Sequence, residues 1–164
     1  MKILTIYYSK SGHTEELAKK IHEALCGDMA SITAKKTYAV SYGMTVLQAG
    51  FDKLRSRRPD IEEIPCHLDD YDILILGAPT WYFTMAPAMQ VFLDTHDFRG
   101  KKVYTFSTDG GQPKNTLSDF RKKLEEKGAR VAGQFHVSYK KNNRLTGDDE
   151  IDKWIKGLKE DAVR

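Results

Sequence analysis

The run Ile73-Leu74-Ile75-Leu76, set between Asp72 and Gly77, constrains this chain more than any other feature. Four large apolar residues in a row, with no polar alternation, describe a strand covered on both faces, as in a parallel sheet with helices above and below it. Such a strand is central, so the rest of the chain must supply its neighbours and its covering layers. Ile3 to Tyr8 is a second nearly continuous apolar and β-branched run, followed by Leu17, Ile21 and Leu25 at helical spacing. Met29 to Thr33 reads as a weaker strand, and Val46, Leu47, Phe51 and Leu54 as a second helix ending before Pro59. After the third strand, Tyr71 to Gly77, Pro87 suits the first turn of a helix carrying Met89, Val91, Phe92 and Leu93. Val103 to Phe106 is the fourth strand. Leu117, Phe120 and Leu124 mark a helix stopped at Gly128, and Val131 to Val137 the fifth strand. Thr146-x-x-Asp149 has the form of a capping box, opening a last helix whose apolar face is Ile151, Trp154, Ile155 and Leu158.

Five strands alternating with five helices require right-handed crossovers and give a doubly wound α/β sandwich, with a parallel sheet between two helical layers. A length of 164 residues at 40% hydrophobic content fits one domain spanning 1–164. No apolar run approaches the ~20 residues that cross a bilayer, and the N-terminus runs into a strand without a cleavage-site pattern. The expectation is a cytoplasmic protein with no membrane insertion. A balance of 26 basic against 23 acidic residues argues against a nucleic-acid partner, and the basic stretch Lys53 to Arg58 reads as a solvated helix end. Cys26 and Cys66 lack the spacing of a metal or dithiol site, and His22, His67, His96 and His136 show no ligand spacing, so no metal is expected.

Ligands of doubly wound sheets bind beyond the carboxyl ends of the strands, which singles out three loops. The first, Ser9-Lys10-Ser11-Gly12-His13-Thr14, places three hydroxyls and a glycine before a helix. Hydroxyls, backbone N–H groups and the positive end of a helix dipole together suit a phosphate. The side chains of Lys10 and His13 are expected in solvent, because such sites work through backbone donors. The segment lacks G-x-x-x-x-G-K-[ST] and G-x-G-x-x-G, which removes triphosphate and dinucleotide readings. The second loop, Ala78 to Pro87, carries Trp81, Tyr82 and Phe83 in succession, and three adjacent aromatics cannot easily all turn inward. In the third, Ser107 to Pro113, Asp109 stands beside Gly110 and Gly111, which let a backbone approach a flat ring closely.

With these three loops in this order the chain resembles the flavodoxin-like family, in its short-chain form, over nearly its whole length. The resemblance implies a three-layer sandwich with a five-stranded parallel sheet of order 2-1-3-4-5 and one non-covalently bound FMN. Ser9, Ser11, Gly12, Thr14 and the backbone of His13 would hold the phosphate, with Lys10 in reach. Pro79, Thr80, Trp81, Tyr82 and Phe83 would supply backbone contacts and a stacking aromatic, Trp81 or Tyr82. Thr108, Asp109, Gly110 and Gly111 would border the other side of the ring. The implied role is electron transport with redox partner proteins or a small-molecule electron donor or acceptor, and with no catalytic acid, base or nucleophile.

Two departures stand out. The sequence pI is near 8.7, where carrier flavodoxins are typically acidic, so full reduction of the flavin is expected to be easier. Tyr82 occupies a place where many carriers have glycine, and a side chain there is expected to resist positive φ and to disfavour the one-electron-reduced form. These open the alternative of an FMN-dependent NAD(P)H or quinone oxidoreductase of the same fold. A cofactor-free binding module is a third reading. A receiver domain fails for want of acidic residues at Tyr7-Tyr8-Ser9 and Gly77-Ala78-Pro79, and a low-molecular-weight phosphatase for want of C-x₅-R in the first loop.

Overall fold

In a computed structural model, residues 1–35 and 59–163 are described. The chain forms β1 (Ile3–Tyr7), α1 (His13–Leu25), β2 (Asp28–Ser31), a 3₁₀ turn (Leu68–Asp70), β3 (Ile73–Trp81), β4 (Thr84–Met85) and α2 (Pro87–Thr95). It continues as β5 (Lys102–Asp109), α3 (Thr116–Glu126), β6 (Arg130–Lys140), β7 (Asn143–Arg144) and α4 (Asp148–Val163). The helix expected around Val46 to Leu54 and the basic stretch Lys53 to Arg58 lie outside the described residues. Around them, Ala34 bridges Ile61 antiparallel, Lys35 N–H donates to Asp60 O and Glu62 N–H to Thr33 O.

The five long strands pair in parallel in the order β2-β1-β3-β5-β6, the expected 2-1-3-4-5 arrangement. Two short strands add antiparallel hairpins, β4 on β3 and β7 on β6. Alternation along the strands sends side chains to two separate cores. Leu4, Ile6, Leu74, Leu76 and Val103 pack with Met89, Phe92 and Leu93 of α2 and Phe120 and Leu124 of α3. Ile3, Tyr7, Ile73, Ile75 and Phe106 pack with Leu17 and Ile21 of α1 and Ile151 and Ile155 of α4. Both faces of β1 and β3 are therefore buried, which is why their sequences show no polar alternation. Gly77 makes room for the platform under the site: a Cβ there would lie 2.0 Å from Cζ of Phe106, its partner across β5.

Three boundaries differ from the sequence expectation: the end of β3, the end of β5, which runs to Asp109 and not Phe106 so that Ser107 to Asp109 lie in the strand, and the start of the last helix. β3 does not end at Gly77 but continues to Trp81, because Ala78 and Pro79 go on pairing with Ser107 and Thr108 of β5 and because β4 folds back on its end. Pro79, whose carbonyl accepts from Ala86 N–H, thus lies in a strand and not in a loop. Thr146 does not cap the last helix; its hydroxyl accepts the N–H of Ser138, 3.0 Å away on β6. The Glu150 carboxylate instead reaches back to the N–H of Gly147 at 3.3 Å, the reciprocal half of a capping box shifted by one residue. No helix among the described residues is long and apolar enough to cross a membrane.

Candidate functional site

The carboxyl ends of β1, β3 and β5 bring the three sequence segments to one edge of the sheet. In the first, Gly12 stands at the N-cap of α1 with φ 94, and its N–H donates to Ser9 Oγ at 3.1 Å. Its carbonyl accepts Glu16 N–H at 2.8 Å, which starts the helix at His13. No side chain caps this end, so first-turn N–H groups face outward without intrahelical acceptors. A Cβ at Gly12 would meet nothing within 4 Å, so glycine is needed here for its backbone conformation and the space before the loop is open. Open N–H groups at the positive end of a helix form an anion site.

The side chains around this loop are fixed by neighbours. Thr14 is buried, and its Oγ1 lies 2.7 Å from Oγ1 of Thr108, tying the first segment to the third. His13 is half-buried and not in solvent as expected; its ring stacks on Tyr139 of β6 with centroids 4.0 Å apart and planes at 10°, its Nδ1 3.4 Å from Ser11 Oγ. Lys10 is exposed but holds its Nζ 5.6 Å over the Trp81 ring. Burial raises the Tyr8 phenol above its ordinary pKa; it also raises Tyr139, where Glu16 adds to the effect and Arg144 opposes it. Both phenols stay neutral near pH 7 and bring no negative charge to the loop.

The second segment is a hairpin. Thr80 pairs with Met85 and Trp81 with Thr84, leaving Tyr82 and Phe83 as the two turn residues, at φ 47 and φ 77. A two-residue hairpin of this hand needs positive φ at both positions and ordinarily takes Asn or Gly. Tyr82 therefore already occupies the left-handed region that the sequence reading expected it to resist, at a cost of about 1–2 kcal/mol. Contacts from the third segment and α3 hold the turn. Asn115 N–H donates to Phe83 O at 2.9 Å, and Thr80 Oγ1 lies 2.8 Å from Thr116 Oγ1 and donates to Pro113 O at 3.3 Å. Trp81 is half-buried against the core, edge-on to Tyr8 at 5.7 Å, whereas Tyr82 and Phe83 are 44% and 55% exposed.

Tyr82, Phe83 and Thr80 form one wall of a cleft of ≈ 610 Å³ whose other wall is Gly110, Gly111, Gln112 and Lys114. That volume lies within the usual range for small-molecule and cofactor sites. Cβ atoms at Gly110 and Gly111 would meet nothing within 4 Å, and Gly111 has φ 130. Lys114 Nζ stands 6.0 Å over the Phe83 ring and donates to Gln112 Oε1 at 3.0 Å. Asp109 does not face the cleft; its carboxylate is fully buried and accepts Gly111 N–H at 2.9 Å. The sequence assigns no role to Gln112, Lys114, Thr116 or Tyr139. Gln112 and Lys114 could have been found by their closeness to Gly110-Gly111, but nothing local marks Thr116 or Tyr139.

A parallel sheet between helical layers, with an uncapped helix N-terminus and an aromatic cleft at the carboxyl ends of its strands, defines a doubly wound protein with a candidate ligand site at its topological switch point. Residues 2–158 match the family described as flavodoxin, and the chain belongs to that family. It is 32% identical over 142 residues to an NAD(P)H dehydrogenase (quinone) of Rhizobium rhizogenes, an alignment covering 80% of this chain and 70% of that protein. A Brucella anthropi protein of the same name is 35% identical over 94 residues, 57% of this chain and 46% of the relative, so the match spans under half of that protein. Among solved structures, a flavoprotein of Lactobacillus acidophilus in complex with FMN superposes with a TM-score of 0.70 at 24% identity, covering 93% of this chain and 97% of the other.

Proposed function

We propose that this protein binds FMN without a covalent link and transfers electrons through it. The observation that carries the reading is the junction of two half-sites of different chemistry: an uncapped helix end suited to phosphate and a cleft suited to a flat ring, joined by the Thr14–Thr108 hydrogen bond of 2.7 Å. The residues present fit the group. Open space before Gly12, Gly110 and Gly111 is where a phosphate and a ring edge would approach the backbone. Ser9, Ser11 and Thr14 with the first-turn N–H groups would hold the phosphate, and Tyr82 and Phe83 would face the ring across from Gly110 and Gly111. Bound FMN supplies one- and two-electron chemistry, and the protein's part is to bind, orient and adjust its electrostatics.

A second reading, two-electron transfer between NAD(P)H and a quinone, is favoured by the names of the relatives and by two cations, Lys114 lining the cleft and Lys10 in the Ser9–Thr14 loop. Lys10 and Lys114 lie on aromatic faces. Neither takes part in an ion pair among the described residues, in contrast to Lys19, Lys20, Lys101, Lys102 and Lys123. Uncompensated cations lower the cost of placing negative charge nearby, which favours full reduction. Stepwise anaerobic reduction of the FMN complex, recorded by visible spectrum, distinguishes the two. Direct passage from the oxidised to the fully reduced spectrum, with bleaching by NADPH, supports the two-electron reading; a long-lived one-electron-reduced spectrum and no reaction with NADPH supports a carrier.

A further inference from the structure

Behind the cleft, Asp109, His136 and Ser138 form a cluster that the cofactor reading leaves unused. In the β5–β6 register Ser107 pairs with His136 and Asp109 with Ser138, which puts the three side chains on one face of the sheet. Asp109 Oδ1 accepts from Gly111 N–H at 2.9 Å and from Ser138 Oγ at 2.7 Å, and Oδ2 lies 3.1 Å from His136 Nδ1. A carboxylate can only accept, so Nδ1 carries the proton in this contact.

Serine, histidine and aspartate together invite a hydrolytic reading, which the geometry rejects. In a catalytic triad the serine and the carboxylate engage opposite ring nitrogens. Here Ser138 Oγ is 3.4 Å from Nδ1, the same nitrogen that faces Asp109, and its proton goes to the carboxylate. The cluster is no metal centre either, since no group of three ligand-type side chains occurs among the described residues.

The Asp109 side chain is fully buried and that of His136 is 43% exposed. Hydrogen bonds must replace the water a buried carboxylate has lost, and two of the three partners of Asp109 come from β6. The third is the N–H of Gly111, in the turn that lines the cleft. We propose that His136 and Ser138 are positioning residues for the flavin. By holding the Asp109 carboxylate in place, they fix the Gly110–Gly111 turn in the shape that borders the ring. The proposal rests on the FMN reading above.

The test compares wild type with His136→Phe, His136→Asn and Ser138→Ala, titrating each apo-protein with FMN and with riboflavin and measuring the reduction potential of the FMN complex. His136→Asn can keep an N–H donor near the Nδ1 position; His136→Phe cannot. The expected result is a loss of about tenfold in affinity for both flavins in His136→Phe, the scale of one hydrogen bond to a charged group. The FMN-to-riboflavin ratio stays unchanged, the potential shifts, and His136→Asn recovers most of the loss. Ser138→Ala carries the same expectation should His136→Phe fail to fold. Affinities and potential within twofold of wild type in folded variants overturn the proposal. So does a loss confined to FMN, which would put the effect at the phosphate. Absence of FMN binding by wild type would overturn the FMN reading instead, and the two failures are distinct.

Discussion

The Ser9–Thr14 loop and the Tyr82–Phe83 hairpin stand at the same edge of the sheet and are built by opposite means. The loop is one short segment whose open donors are the backbone N–H groups of an uncapped helix end, and its one left-handed residue is glycine, at φ 94. The hairpin places two aromatic residues in the left-handed region, at φ 47 and φ 77, and relies on Asn115, Pro113 and Thr116 to hold it. A phosphate site can be made locally because a helix N-terminus already provides donors and dipole. A ring site needs surface, and surface must be assembled from distant residues and held against local preference.

This contrast makes the two halves separable by mutation. Ser11→Ala deletes a hydroxyl on the phosphate side and leaves the Thr14–Thr108 tie intact; a hydrogen bond to a charged group is worth roughly 1.5–3 kcal/mol, so FMN affinity should fall by about 10- to 100-fold. Riboflavin affinity should change little, and an equal loss for both flavins would erase the division between the halves. Gly77→Ala strikes the platform under both. Its methyl would meet the Phe106 ring, and overpacking of this kind costs about 1–3 kcal/mol, read as a lowered urea midpoint with an unchanged slope. Unchanged stability would show that Phe106 can move aside.

Phe83→Ala should weaken FMN and riboflavin together by about 3- to 10-fold, from an aromatic contact of roughly 0.5–1.5 kcal/mol. A loss for FMN alone would move Phe83 to the phosphate side. The smallest effect is expected of Lys10→Gln with Lys114→Gln, a lowering of the potential for full reduction that fades as salt is raised, because exposed charges are screened. A potential unaffected by the double substitution at low salt would remove the electrostatic argument for two-electron chemistry.

How far each half could be read from the sequence follows from the same contrast. Hydroxyls and a glycine before a helical pattern reveal the loop, since every residue needed lies within it. The aromatic segment is visible as a site but not as a hairpin: Thr84-Met85 is too short for a period-2 signal, and Tyr82-Phe83 lacks the Asn or Gly that marks a two-residue turn. Asp109 is conspicuous beside two glycines, yet its direction, away from the cleft and toward β6, depends on a register that sequence spacing does not encode. The long strands are legible because buried strands read as unbroken apolar runs, and their order in the sheet follows from the family resemblance, whereas the β4 and β7 hairpins leave no pattern of their own.

A phosphate held at the helix end of α1 and a ring held in the cleft are tested together by fluorescence titration of the apo-protein with FMN and with riboflavin. FMN is expected to bind at least about 100-fold more tightly, the scale of two or more charge-assisted hydrogen bonds. Equal affinities would contradict the phosphate cradle, and binding of neither flavin would contradict a flavin site altogether.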